Sequence, residues 1–143
     1  MKRFDRAIKA LVKGYINNTL KPAKCTACAV GNIIAECNNY TISENLEWID
    51  SEDKQQYPEW INVFCTFFCL QTIKKENYIY NAKKEIDSTG YTWQELAKVE
   101  AMFERTKGDI FNKLMAVVEV LCEIENFDDV LIKETKELFI VNN

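Results

Sequence analysis

Apolar residues return every three to four positions along most of this chain, and that period selects helices. Phe4, Ile8, Leu11, Val12 and Tyr15 follow the i, i+4, i+7, i+8, i+11 template, bordered by Ala7 and Ile16. The pattern predicts a first helix ending near Asn17-Asn18-Thr19, because Pro22 disfavours helical backbone at the residue before it. A second helix is expected from about Thr26 to Cys37, with Ala29, Ile33, Ile34 and Cys37 inward. Gly31 lies inside it. A mid-helix glycine costs about 1 kcal/mol against alanine, so another backbone should pack closely there.

Further along, Pro58 suits the first position of a helix, and Glu59 to about Ile73 is apolar nearly all round, as in a central buried helix. Thr92-x-x-Glu95 is a capping box that opens a helix with Leu96, Val99, Ala101, Met102 and Phe103 on its inner face. Asp109 caps the next, Ile110 to about Glu125. The last runs from about Asp128 to Phe139, with Val130, Leu131, Leu138 and Phe139 inward. Two stretches are less regular. Asn38 to Tyr57 is polar and acidic and reads as loop with a short helical turn. Asn77 to Ser88 fits a helix only moderately and leaves room for a short strand pair near residues 77–91. The sum is an all-α fold: a single compact bundle of about six helices occupying residues 1–143.

Composition narrows the function classes. With 48% hydrophobic residues, 4 Gly and 2 Pro in 143 residues, the chain can bury a core without staples. No apolar run approaches the roughly 18 residues of a membrane span, and no uninterrupted apolar segment follows the basic N-terminus as a secretion signal would require. There is no histidine. That excludes Ser-His-Asp and Cys-His catalysis and histidine-ligated metal. P-loop, GxGxxG and GxSxG motifs are also missing. The expectation is therefore a protein that is not an enzyme, with no cofactor and no small-molecule substrate.

Six cysteines invite a chemical reading. Cys65 and Cys69 share a helix face and Cys122 ends an apolar stretch, so these three read as small buried hydrophobes. Reduced thiols in a cytoplasmic setting are expected. Cys25-Thr26-Ala27-Cys28 is different: two thiols near a helix N-terminus, with Lys21 and Lys24 close in sequence, should have depressed pKa values. Zinc binding or redox exchange follows as an alternative role, with Cys25, Cys28 and Cys37 as metal ligands and a fourth from elsewhere.

Charge is distributed unevenly. Residues 1–24 carry seven cations against Asp5 alone, while the whole chain is −4, which leaves −10 for the remainder. Lys2, Arg6, Lys9 and Lys13 fall within roughly 60° of one another on the first helix, opposite its apolar stripe. With Lys21 and Lys24 they form a candidate partner-binding ridge for phosphates or acidic groups. Two acidic segments, Glu36 to Glu59 and Glu119 to Glu137, oppose it.

Three segments resemble motifs that occur in this order in a family of small bacterial proteins commonly labelled as a component of sodium-translocating NADH-quinone reductase. Cys25-Thr26-Ala27-Cys28-Ala29-Val30-Gly31-Asn32-Ile33 resembles CxxCAVGNI, Tyr91 to Phe103 resembles YSxxELxxIExxF, and Phe111 to Cys122 resembles FNGLxAVVxxLC. Lys113 stands where the family tends to glycine, and the acidic stretch after Asn38 is an insertion. The cysteine spacing after Cys28 does not supply a [2Fe–2S] ligand set, and no flavin motif is present. The resemblance thus implies a small helical family and assigns no catalytic residue. By class, compact acidic helical proteins of this kind also resemble inhibitors carried by phages or mobile elements, which block nucleic-acid enzymes such as CRISPR nucleases. The expected function is a binding regulator or inhibitor of a larger protein, with a nucleic-acid enzyme or its RNA among the candidate partners. Direct RNA or DNA binding through the N-terminal helix is another alternative.

Overall fold

The computed structural model describes residues 2–56 and 83–141. Its elements are α1 (Lys2–Ile16), α2 (Ala29–Cys37), β1 (Thr41–Ile42), β2 (Trp48–Ile49), β3 (Gln55–Gln56), α3 (Lys83–Thr89), α4 (Trp93–Arg105), α5 (Ile110–Ile124) and α6 (Asp129–Val141). The architecture is the expected helical bundle, joined by one small antiparallel sheet of order β1-β2-β3. That sheet lies in the acidic stretch, where the sequence suggests loop and a helical turn, whereas residues 83–89 are helical. The expected helix from Glu59 to about Ile73, with Cys65 and Cys69, falls outside the described residues.

Helix boundaries follow from local chemistry. The Thr92 hydroxyl accepts from Glu95 N at 3.1 Å while the Glu95 carboxylate accepts from Thr92 N at 2.9 Å, completing the capping box. Asp109 accepts from Asn112 N at 2.9 Å. Three helices end with one device. Asn18, Asn39 and Asn126 take left-handed backbone (φ about 60°), and the next residue's N–H reaches back to Gly14 O, Ala35 O and Cys122 O. This is the Schellman closure, which satisfies orphan carbonyls, and asparagine tolerates the left-handed region better than most side chains.

One continuous buried cluster runs from Phe4, Ala7 and Leu11 through Ile33, Ile34 and Trp48 to Leu96, Val99, Phe103, Leu114, Val117, Val118 and Leu121. Cys122 belongs to it, as expected. Two glycines allow close approach. A Cβ on Gly31 would lie 2.4 Å from Cys25 O, so the turn before α2 rests directly on that helix, as the mid-helix glycine suggests. A Cβ on Gly14 would lie 2.3 Å from the Asn32 carboxamide oxygen. Asn32 is buried, and its Nδ2 donates to Thr19 O, Ala27 O and Cys28 O at 2.9–3.0 Å, tying the α1–α2 connection into one piece. On α6 the inward face is narrower than expected: Phe139 is buried, but Val130, Leu131 and Leu138 are exposed, as is Met102 on α4. Apolar character alone does not decide burial on a helix at the margin of a bundle.

Arg3 ties the start of α1 to the start of α4 and the end of α5. Its guanidinium donates to both Glu125 carboxylate oxygens at 2.8–3.1 Å, to Glu95 Oε1 at 3.3 Å and to Gly90 O at 3.2 Å, and sits 4.5 Å from the Tyr91 ring centroid. Only a tenth of the Glu125 side chain is exposed. Arg3→Ala strands that carboxylate, so a loss of about 1–3 kcal/mol is expected in urea unfolding. A double-mutant cycle with Glu125→Gln should recover about 1 kcal/mol or more as coupling, and additive losses would contradict the clamp.

Candidate functional site

Two features have chemical potential: an apolar groove and a buried thiol–carboxyl pair. The groove, about 460 Å³, lies between α1 and α6 over α5. One wall is Phe4, Ile8, Val12, Tyr15 and Ile16. The other is Thr135, Leu138 and Phe139, and Leu114 contributes from α5. Ile16 is 72% exposed and Leu138 62%. Asp5 and Lys9 are the charged residues in its lining. The span from Phe4 to Ile16 corresponds to about 18 Å of helix axis.

The basic ridge is partly compensated. Lys9 Nζ lies 3.5 Å and Lys13 Nζ 3.2 Å from the Glu36 carboxylate on α2. Lys21 Nζ donates to Asn18 Oδ1 at 2.8 Å. Lys2, Arg6 and Lys24 make no salt bridge among the described residues. Of the six candidate cations only Lys9 lines the groove. Lys9 itself is exposed, and it shares the mostly covered Glu36 carboxylate with Lys13.

The cysteine expectations need correction. Cys25 is disulfide-bonded, so not every thiol is reduced. Cys28, Cys37 and Cys122 are free. Cys25, Cys28 and Cys37 cannot share a metal ion. Cys28 is the N-cap and Cys37 the last residue of α2, nine positions apart, or about 13 Å along the axis. Zinc–sulfur bonds measure about 2.3 Å. No other group of three or more metal-ligating side chains assembles among the described residues.

The thiol at Cys28 is also not activated as expected. Its Sγ accepts from Gly31 N at 3.3 Å and donates to Cys25 O at 3.3 Å. Burial, with the neighbouring Glu100 carboxyl, pushes its pKa well above the ordinary value, and the α2 N-terminus only partly offsets this. Desolvation outweighs the helix dipole. Cys37, half-buried, is likewise pushed up by burial.

Glu100 is not singled out by the sequence patterns. It lies inside the inner arc of α4, between Val99 and Ala101, and is fully buried. Its Oε1 accepts from Val30 N at a long 3.4 Å, and Oε2 has no hydrogen-bond partner among the described residues. Burial raises its pKa to about 8. Glu104, one turn on, adds like charge, while its carboxylate accepts from Ala23 N at 2.9 Å. The available signal is a carboxylate interrupting the Leu96, Val99, Phe103 face. Cys28 and Val30 at the start of α2 meet Glu100 on α4 here, and α5 supplies Leu114, Val117, Val118 and Leu121 to the adjoining core.

Comparison with protein-family models, with curated proteins and with solved structures returns no match. Among the described residues no helix is long and apolar enough to cross a membrane.

Proposed function

We propose that this protein is a non-enzymatic binding module that regulates or inhibits a larger protein by seating an amphipathic helix of that partner between α1 and α6. The observation that carries this reading is the clustering of exposed apolar side chains. Of the six large exposed hydrophobic residues among those described, Val130, Leu131, Leu138 and Ile140 are on α6, and Ile16 lines the groove with Leu138. Isolated exposed hydrophobes carry no message, but a contiguous apolar patch does. Thr135, Leu138 and Phe139 on α6, spaced i, i+3, i+4, face a wall from α1 with the same helical period. A groove about 18 Å long suits roughly three turns of a helix with apolar anchors at that spacing. Asp5 and Lys9 then select a partner helix with one basic and one acidic flank.

The test places a photoreactive residue at Ile16 and analyses crosslinks in lysate of the protein's own cell. One protein should be captured, with the crosslink on an amphipathic helix, and Leu138→Asp should weaken the purified complex by about 100-fold. Both positions are exposed, so melting temperature should hold. Capture that is indifferent to Leu138→Asp, or crosslinks to a second copy, nucleic acid or lipid, would overturn the reading.

A further inference from the structure

The two walls of the α1–α6 groove run in the same direction. At the start of α1, Arg3 donates to the Glu125 carboxylate just past the end of α5, and Phe4 packs on Phe127 with ring centroids 5.0 Å apart. At the other end of α1, Tyr15 meets Phe111 in the first turn of α5, with centroids 6.0 Å apart. Helix α1 is therefore antiparallel to α5. So is α6: a short connection joins it to α5, and Lys136 Nζ reaches back to Glu119 at 3.0 Å. Two helices that both oppose a third are parallel to each other. The N-termini of α1 and α6 thus lie at one end of the groove and their C-termini at the other.

Each helix N-terminus carries roughly half a positive charge and each C-terminus roughly half a negative one. A helix laid between these walls gains by running against both, because its negative end then lies beside two positive ends. Helix α5, beneath the groove, points the other way, but it is one helix against two and contributes only Leu114 to the lining. The charged lining residues agree with this direction. Asp5 lies toward the N-terminal end, and Lys9 follows one turn later, about 6 Å along the axis. Asp128 and Asp129, exposed where α6 begins, add negative charge at the Asp5 end. A basic side chain fits that end, and an acidic one fits beside Lys9, where it competes with Glu36. For an antiparallel occupant the order along its own chain is acid first and base one turn later. That order also suits its own dipole and gives a favourable i, i+4 pair. A parallel occupant would carry the same two charges in the order its dipole disfavours.

We infer that the partner helix lies antiparallel to both α1 and α6, with an acidic residue facing Lys9 and, one turn later, a basic residue facing Asp5. This rests on the reading of the groove as a helix-docking site and adds direction to it. The groove selects by the order of charges as well as by apolar spacing, so a helix of identical composition written backwards is a poorer ligand.

Two synthetic helical peptides of about four turns test the direction. Both carry leucines at i, i+4, i+7 and i+11. One has a glutamate followed four residues later by an arginine beside these anchors, and the other is the same sequence reversed. Fluorescence anisotropy with the full-length protein at low salt should show the first peptide binding about tenfold more tightly. With a photoreactive residue at Ile16, that peptide should crosslink through its N-terminal turn, because Ile16 ends α1. Asp5→Lys should shrink the preference to about twofold or less. Asp5 is exposed, so the fold should hold. Equal affinity for the two peptides, a preference untouched by Asp5→Lys, or a crosslink to the C-terminal turn would overturn the direction and leave the groove standing. Binding of neither peptide, or binding indifferent to Leu138→Asp, would remove the docking site and the direction with it.

Discussion

Trp48→Ala should lower unfolding free energy by about 3–5 kcal/mol, a large part of what a domain of this size possesses. Trp48 is completely buried although its strand is two residues long and lies in an acidic stretch. The indole Nε1 donates to Thr26 O at 2.8 Å, and the ring stacks against Tyr40 with centroids 5.7 Å apart. Thr26 in turn donates through Oγ1 to Leu46 O. The sheet is thereby pinned to the turn that carries Cys25 and Cys28. Removing the ring opens a cavity and leaves a buried carbonyl without its donor. Trp48→Phe separates these effects: it keeps most of the packing and should cost only about 1–2 kcal/mol beyond the volume lost. Urea midpoints at unchanged slope measure both. A cost under about 1 kcal/mol for Trp48→Ala would mean that the sheet is an ornament on the bundle.

Trp48 also shows where the sequence is readable and where it is not. Helices α1, α2, α4, α5 and α6 are legible because nine or more residues give a 3.6-residue period room to repeat, and because Thr92 and Asp109 mark starts by their own hydrogen bonds. A two-residue strand cannot display alternation. The sheet is specified instead by its turns. Ser43 and Asp50 open two loops of matching length, each closed by a left-handed residue, Leu46 (φ 63°) and Asp53 (φ 61°). Asp50 accepts from Glu52 N and Lys54 N through Oδ1, and those backbone donors hold its carboxyl below the usual range. Leucine at a left-handed position gives no warning in the sequence, as glycine would have. The exposed face of α6 is hidden for another reason: exposed and buried apolar residues share one chemistry, so Leu131 and Leu138 read as interior. The CxxC pair is visible in the sequence but its electrostatics are not, because the helix dipole can be read from position whereas desolvation depends on what packs above.

That desolvation should be measurable as a pH dependence of stability. Glu100 has an ordinary pKa of 4.5, which the unfolded chain retains, and about 8 in the folded protein. Between those values the folded state holds a proton that the unfolded state has released. Unfolding therefore becomes easier as pH rises from about 4.5 to 8, and the native state at neutral pH is weakened by about 3 kcal/mol relative to acid conditions. The nearby groups do not reverse the sign. Cys28, facing Glu100 from the start of α2, is itself pushed up by burial and stays neutral throughout, and Glu104 adds negative charge that disfavours ionisation further. Other carboxylates titrate in the same range, so the informative quantity is the difference between wild type and Glu100→Gln. That difference should be near zero at pH 4 and should reach about 2–3 kcal/mol in favour of the variant at pH 7. Parallel curves would show that Glu100 ionises freely in the native state and that its burial has no electrostatic consequence.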